Sequence, residues 1–173
     1  MTDSMTEAVQ LPIQVEAFVD GKECANVSGV AIAQYQTWFQ TWLNDLAPTF
    51  SPIDAYEVNL RLTDDVEIQQ LNTDYRQQLK PTDVLSFAAL ETDLPGSKDM
   101  YQGEPLCLGD IIISIETANR QATDSGHSLA YETAWLTAHG LLHLLGWDHP
   151  DDESLTRMLE KQTYLLRLVN IQT

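Results

Sequence analysis

His139-Gly140-Leu141-Leu142-His143-Leu144-Leu145-Gly146-Trp147-Asp148-His149 gathers three of the chain's four histidines into eleven residues. Two histidines four apart on a helix differ by about 40° in direction and about 6 Å in rise, so both imidazoles can reach one point. His149, six positions beyond His143, would lie about 120° away from it around a continuing helix. It joins the other two only if the helix stops and the chain turns back. Gly146 is suited to that stop, because glycine takes the left-handed conformation without a side-chain clash. The spacing therefore predicts a helix, a break and a return, with three imidazoles converging on one ion. Neutral imidazole suits Zn2+, and three protein ligands leave a fourth place for a water whose pKa the metal lowers toward neutrality. His139, His143 and His149 are thus the expected ligands of a zinc-dependent hydrolase. The fourth histidine, His127, follows Gly126 without such company and reads as a surface or helix-entry residue.

Working outward, Tyr131 to Leu145 reads as the ligand-bearing helix, with Trp135, Leu136, Leu142 and Leu145 available for packing. Asp151 to Val169 supplies the last helix through Leu155, Met158, Leu159, Leu165, Leu166 and Val169. Leu106 to Ile115 is nearly continuous apolar and reads as a central strand. A helix over Glu116–Ser125 follows and stops at Gly126. Val84 to Phe87 is a short strand after the Lys80-Pro81-Thr82-Asp83 turn, and residues 93–104 form a loop. Tyr56 to Leu62 alternates as a half-buried strand; Thr63 then caps a helix with Asp64 and Asp65 in its first turn. Ile32, Tyr35, Phe39, Trp42, Leu43 and Leu46 fall at helical spacing and read as core. Gln14 to Val19 reads as an edge strand closed by Asp20-Gly21, and residues 1–12 as a disordered tail. The expectation is one α+β domain over residues 13–173, a small mixed sheet of about four strands packed by about five helices.

At 173 residues the chain fits one domain with a real core, and it has no stretch of about 20 apolar residues to cross a membrane. The start lacks the basic region and apolar run of a secretory signal, so the cytoplasm is the expected address. Cys24 and Cys107 have no CxxC spacing and read as reduced, partly buried thiols. The net charge of −17, from nine Lys plus Arg against 26 Asp plus Glu, argues against a protein that coats nucleic acid.

The histidine spacing also occurs in the metzincin peptidases, H-E-x-x-H-x-x-G-x-x-H, whose glutamate activates water. Gly140 stands at that glutamate's position, so peptide hydrolysis by the usual route loses its proton acceptor. The run instead resembles the H-G-x-L-H-L-x-G-[YW]-D-H signature of the YbeY family, the bacterial rRNA maturation endoribonucleases. Leu71-Asn72-Thr73-Asp74-Tyr75-Arg76 with Pro81-Thr82-Asp83-Val84-Leu85-Ser86-Phe87 is similar to that family's N-x-x-Y-R and P-T-D-V-L-S-F segments. Leu108-Gly109-Asp110-Ile111 through Ser114 is similar to its L-G-D-I strand. The resemblance covers about residues 55–165, with small departures at Trp147 and Ala88.

The resemblance implies single-strand-specific cleavage of RNA in 16S rRNA 3′-end maturation and ribosome quality control. It also implies one zinc per chain and Arg76 as the match to the family's essential arginine. The chemistry agrees, because a guanidinium can hold two phosphoryl oxygens as their negative charge grows. Arg61 and Lys80 are expected to line a local positive cleft with Arg76, which would reconcile an acidic chain with an RNA substrate. Delivery by the small ribosomal subunit or a ribosome-associated protein is then expected. Asp83 is expected to brace its turn, and Ser86 and Asp110 to bond backbone near the sheet. Asp148 either orients an imidazole or caps the last helix. No carboxylate presents itself as general base. Two other functions stay open: a metallopeptidase-like hydrolase, and a non-enzymatic, zinc-stabilised ribosome assembly factor whose fourth ligand would be a distant Asp or Cys107.

Overall fold

A computed structural model describes residues 12–91 and 103–173. The expected tail, Pro12 apart, and most of the loop over 93–104 lie outside the described residues. In chain order the elements are β1 (Gln14–Asp20), α1 (Lys22–Ser28), α2 (Ile32–Leu46), β2 (Ala55–Thr63), α3 (Asp65–Arg76), β3 (Val84–Ala88) and β4 (Leu106–Ser114), then α4 (Ile115–Ser125), α5 (Leu129–Leu144) and α6 (Asp152–Leu168). A single 3₁₀ turn, Ala89–Glu91, follows β3.

The strands stand in the order β1-β2-β4-β3. β1, β2 and β4 run parallel to one another, and β3 is antiparallel to β4. The sheet is therefore mixed and four-stranded, as expected, but six helices rather than five pack around it among the described residues. The extra one is α1, seven residues that bury only Ala25 and Ser28 and have no side-chain cap, so no apolar period announces it.

Alternation along the strands divides the core in two. Tyr35, Phe39, Trp42 and Leu43 of α2 meet Val58, Leu60, Ile111 and Ile113 of the sheet and Leu141 and Leu142 of α5. Each such side chain contributes about 1.5–3 kcal/mol by leaving water. The Trp42 indole donates to the Leu165 carbonyl at 2.8 Å and ties α6 to the same core. On the opposite face a smaller cluster, Ile68 with Leu85 and Ile112, seats α3.

Among the described residues no strand lies beside the outer edge of β1, and side chains of α2 occupy several backbone groups there and at Ile13 just before it. Gln36 donates to the Val15 carbonyl and accepts from the Ala17 N–H, both at 2.7 Å. Gln40 donates to the Ile13 carbonyl at 2.6 Å, and Asn44 accepts from the Ile13 N–H at 3.1 Å. Among the described residues no helix is long and apolar enough to cross a membrane. Cys24 and Cys107 are free and half-buried.

The start of α3 corrects one expectation. Thr63 is the last residue of β2, and Asp64 caps the helix by accepting from the Glu67 N–H at 2.9 Å. An ionised acceptor complements the helix N-terminus better than a hydroxyl. The Thr63 hydroxyl donates instead to Glu67 at 2.6 Å.

Asp65, next in line, clamps α3 to α4. It accepts from the Ser114 and Thr117 hydroxyls at 2.6 Å each and from Arg120 at 2.7 Å, while its own N–H donates to Glu116 at 3.0 Å. Burial pushes its carboxyl pKa up, but the hydrogen bonds from Ser114, Thr117 and Arg120 outweigh that and hold it below the ordinary value. A carboxylate with a depressed folded pKa contributes stability above its unfolded pKa, about 3.9, and loses it as pH falls through the folded value. Asp65→Asn should therefore cost about 1–3 kcal/mol at neutral pH, with the deficit shrinking on acidification below about 3.9. Urea melts across pH check this; a deficit that grows toward low pH would contradict it.

Candidate metal centre

α5 begins where the Ser128 hydroxyl accepts from the Tyr131 N–H at 3.0 Å, and it carries His139 and His143 one turn apart. It ends as the sequence predicts. The Trp147 N–H reaches back to the Leu142 carbonyl at 2.9 Å and the Gly146 N–H to that of His143 at 3.0 Å, with Gly146 at φ 92°. This double bond across a left-handed residue is a Schellman ending. Nothing lies within 4 Å of where a Gly146 Cβ would stand, so the glycine is required by conformation alone.

The return brings His149 back. One ligating nitrogen from each of His139, His143 and His149 lies within 4.8 Å of the others, and the two Nε2 atoms of His139 and His143 are 3.0 Å apart. Nitrogens around a tetrahedral zinc at about 2.0–2.1 Å are about 3.3 Å from one another. The set therefore fits such an ion after a small inward movement of His149, the exposed member of the three. No Cys, Asp or Glu joins this group among the described residues, so the arrangement is open rather than four-liganded. Burial, then the neighbouring His139 and His149 imidazoles, hold His143 below the ordinary imidazole value, against the opposing Trp147 backbone and Asp148. A depressed pKa keeps that ring neutral, the form a metal requires.

Gly140 has a different reason from Gly146. A Cβ there would stand 2.7 Å from Ile111 Cγ2 and 3.2 Å from both Ile111 Cγ1 and Ser86 Oγ. The Ser86 hydroxyl donates to the Gly140 carbonyl at 3.4 Å. The position of the metzincin glutamate faces the sheet in this fold, and any side chain there would have to displace Ile111.

Arg76, the last residue of α3, lines a cleft of about 460 Å³ together with Ser86, His139, His143, Trp147 and Asp148. Its guanidinium donates to the Ser86 carbonyl at 2.9 Å and lies 5.2 Å from the centre of the Phe87 ring, itself edge-on to Tyr75. Among the described residues no carboxylate pairs with Arg76. The other two expected cations do not join it. Arg61 is paired with Glu67 at 2.9 Å on the far face of β2, and Lys80 is absent from the cleft wall.

The remaining polar residues divide clearly. Asp83 braces its turn, accepting from the Val84 N–H at 2.7 Å and from Gln121 at 3.2 Å. Asp148 accepts from the His149 N–H at 2.8 Å, while Asp151 caps α6. His127 stands at the helix entry, the residue before the Ser128 cap, but it is not a surface residue: it is largely buried and paired with Glu132 under the Tyr131 ring. Sequence reading missed Gln162 altogether. This fully buried amide of α6 lies 3.0 Å from His139 Nδ1 through its Oε1. The signal that could have found it is a polar residue in the apolar stripe between Met158 and Leu165.

The family model described as Endoribonuclease YbeY matches residues 23–170. A Nostoc relative named Endoribonuclease YbeY is 55% identical over 168 residues, covering 94% of this chain and 91% of the relative. One from Synechocystis is 49% identical over 162 residues, covering 94% and 90%. A Thermotoga maritima protein solved in solution superposes with a TM-score of 0.54 over 89% of each chain at 23% identity, a likeness of fold.

Proposed function

The chain belongs to the YbeY family of endoribonucleases, and from that premise we propose that it is a zinc-dependent enzyme cutting single-stranded RNA. Its ligands are His139, His143 and His149, and Arg76 is its catalytic cation. One observation carries the reading: Arg76, from a motif more than sixty residues upstream, lines the same cleft as His139 and His143. Zinc bound by the histidines supplies a Lewis acid and lowers the pKa of a water toward neutrality. Arg76 binds the scissile phosphate, holds its non-bridging oxygens and offsets the charge that grows on them. The backbone of β3 and the Phe87 ring keep the guanidinium extended toward the cleft, which limits the entropy lost when a phosphate arrives.

The natural substrate we propose is precursor rRNA at the 3′ end of 16S rRNA, met on or near the small ribosomal subunit in the cytoplasm. With a net charge of −17 the isolated chain attracts no polyanion at long range, so a ribosomal partner brings substrate and cleft together. The catalytic unit spans residues 13–173 as one domain.

The test is cleavage of single-stranded RNA by wild type, chelated protein and Arg76→Glu side by side. Chelation should stop cleavage and zinc should restore it. Arg76→Glu should lose at least about 100-fold in rate while binding zinc normally. Full activity in Arg76→Glu would remove the arginine from the mechanism, and cleavage in the presence of chelator would remove the metal.

A further inference from the structure

Gln162 is fully buried on α6 between Met158 and Leu165. An amide in such a place must satisfy both its oxygen and its N–H groups, because a buried polar group left without a partner is destabilising. Its Nε2 donates to the Trp135 carbonyl at 3.3 Å and its Oε1 meets His139 Nδ1 at 3.0 Å. The Trp135 carbonyl can only accept, so the amide nitrogen must face it and the amide oxygen must face the imidazole. That oxygen in turn requires a proton on His139 Nδ1. In a neutral ring the lone pair is then on Nε2, the atom turned toward Nε2 of His143 at 3.0 Å.

We infer that Gln162 is a positioning residue of the metal centre: the chain Trp135–Gln162–His139 fixes the tautomer and ring plane of His139 so that Nε2 is the ligating atom before any ion arrives. The inference rests on the zinc reading for its purpose and on the hydrogen bonds for its geometry. A positioned acceptor behind a ligating imidazole also raises that ring's basicity as a ligand. The relay runs from α6 to α5, the two helices that flank the Gly146 turn, so the last helix takes part in holding the first ligand.

The test uses long-range proton–nitrogen spectra of the histidine rings, with and without zinc, in wild type, Gln162→Met and Gln162→Glu. Wild type should show His139 protonated at Nδ1 even without metal. Gln162→Met, close in volume but without an acceptor oxygen, should lose that preference and bind zinc about 10–100-fold more weakly in a chelator competition. Gln162→Glu keeps an acceptor at the same place and should retain both the tautomer and the affinity. His139 protonated at Nε2 in metal-free wild type would overturn the inference, as would undiminished zinc affinity in Gln162→Met. If Gln162→Met fails to fold, the tautomer in wild type and in Gln162→Glu still decides. Failure of wild type to bind zinc overturns the metal reading instead, and the tautomer of the metal-free protein separates the two failures.

Discussion

His143→Ala should lose zinc and RNA cleavage together while keeping its fold. Of the three rings His143 is the central one, 4.5 Å from His139 and 5.3 Å from His149 between centroids, whereas those two are 5.8 Å apart. Removing it leaves two ligands that do not define a tetrahedral site. The ion's stabilisation of transition-state charge is worth several kcal/mol, and each 1.36 kcal/mol is tenfold in rate, so a loss of about a thousandfold or more is expected. Stability of the metal-free protein should stay close to wild type at neutral pH. His143 is half-buried and its lowered pKa leaves the ring neutral there, so truncation removes no charge; only below the unfolded imidazole value of about 6.5 does keeping the ring neutral cost the wild type stability that the variant does not lose. Metal analysis, RNA cleavage and a thermal melt on one preparation check all three; zinc-free protein that still cuts RNA would overturn the assignment.

Gly140→Glu should fail to fold stably, and Gly140→Ala should cost about 1–3 kcal/mol. An exposed helical glycine gains about 1 kcal/mol on becoming alanine, so propensity alone predicts the opposite sign. Space decides here. The added Cβ would meet Ile111, a fully buried β-branched residue of the central strand β4, at 2.7 Å. Such a side chain is stiff at χ1 and has no free rotamer to retreat into. A glutamate would add a charge between helix and sheet, at a cost of several kcal/mol against a typical total stability of about 5–15. The peptidase base is thus kept out by packing, which a missing motif letter alone does not say. A Gly140→Ala protein that melts higher than wild type would show that α5 can move away from β4.

The features legible in advance were those with a strong period or a forced conformation. The helix, break and return of the histidine run followed from angular spacing and one glycine. The four strands and the larger helices followed from apolar periodicity. What stayed hidden depended on contacts between distant segments. α1 is too short and too polar to show a stripe. Arg61 and Lys80 have the right charge, but Arg61 is paired with Glu67, and Lys80 is not among the residues that line the cleft. Gln162 looked like one more polar residue until the carbonyl of Trp135 and the ring of His139 were seen on either side of it. The likeness of local sequence to a family marks Arg76 as a candidate; the fold adds that it, His139 and His143 line one cleft.

The amide of Gln36, bonded to β1, and those of Gln40 and Asn44, bonded to Ile13 just before it, act as part of a counterfeit fifth strand. Gln36 spans the Val15 carbonyl and the Ala17 N–H much as one peptide group of a neighbouring strand would. A sheet ended in this way offers passing chains a shorter and interrupted row of backbone groups to zip onto, the usual route from an exposed edge to fibrils or swapped dimers. Among the described residues this safeguard is carried by three side chains. Substitutions on that face of α2 would therefore spare the catalytic cleft and show themselves as turbidity and failed purification.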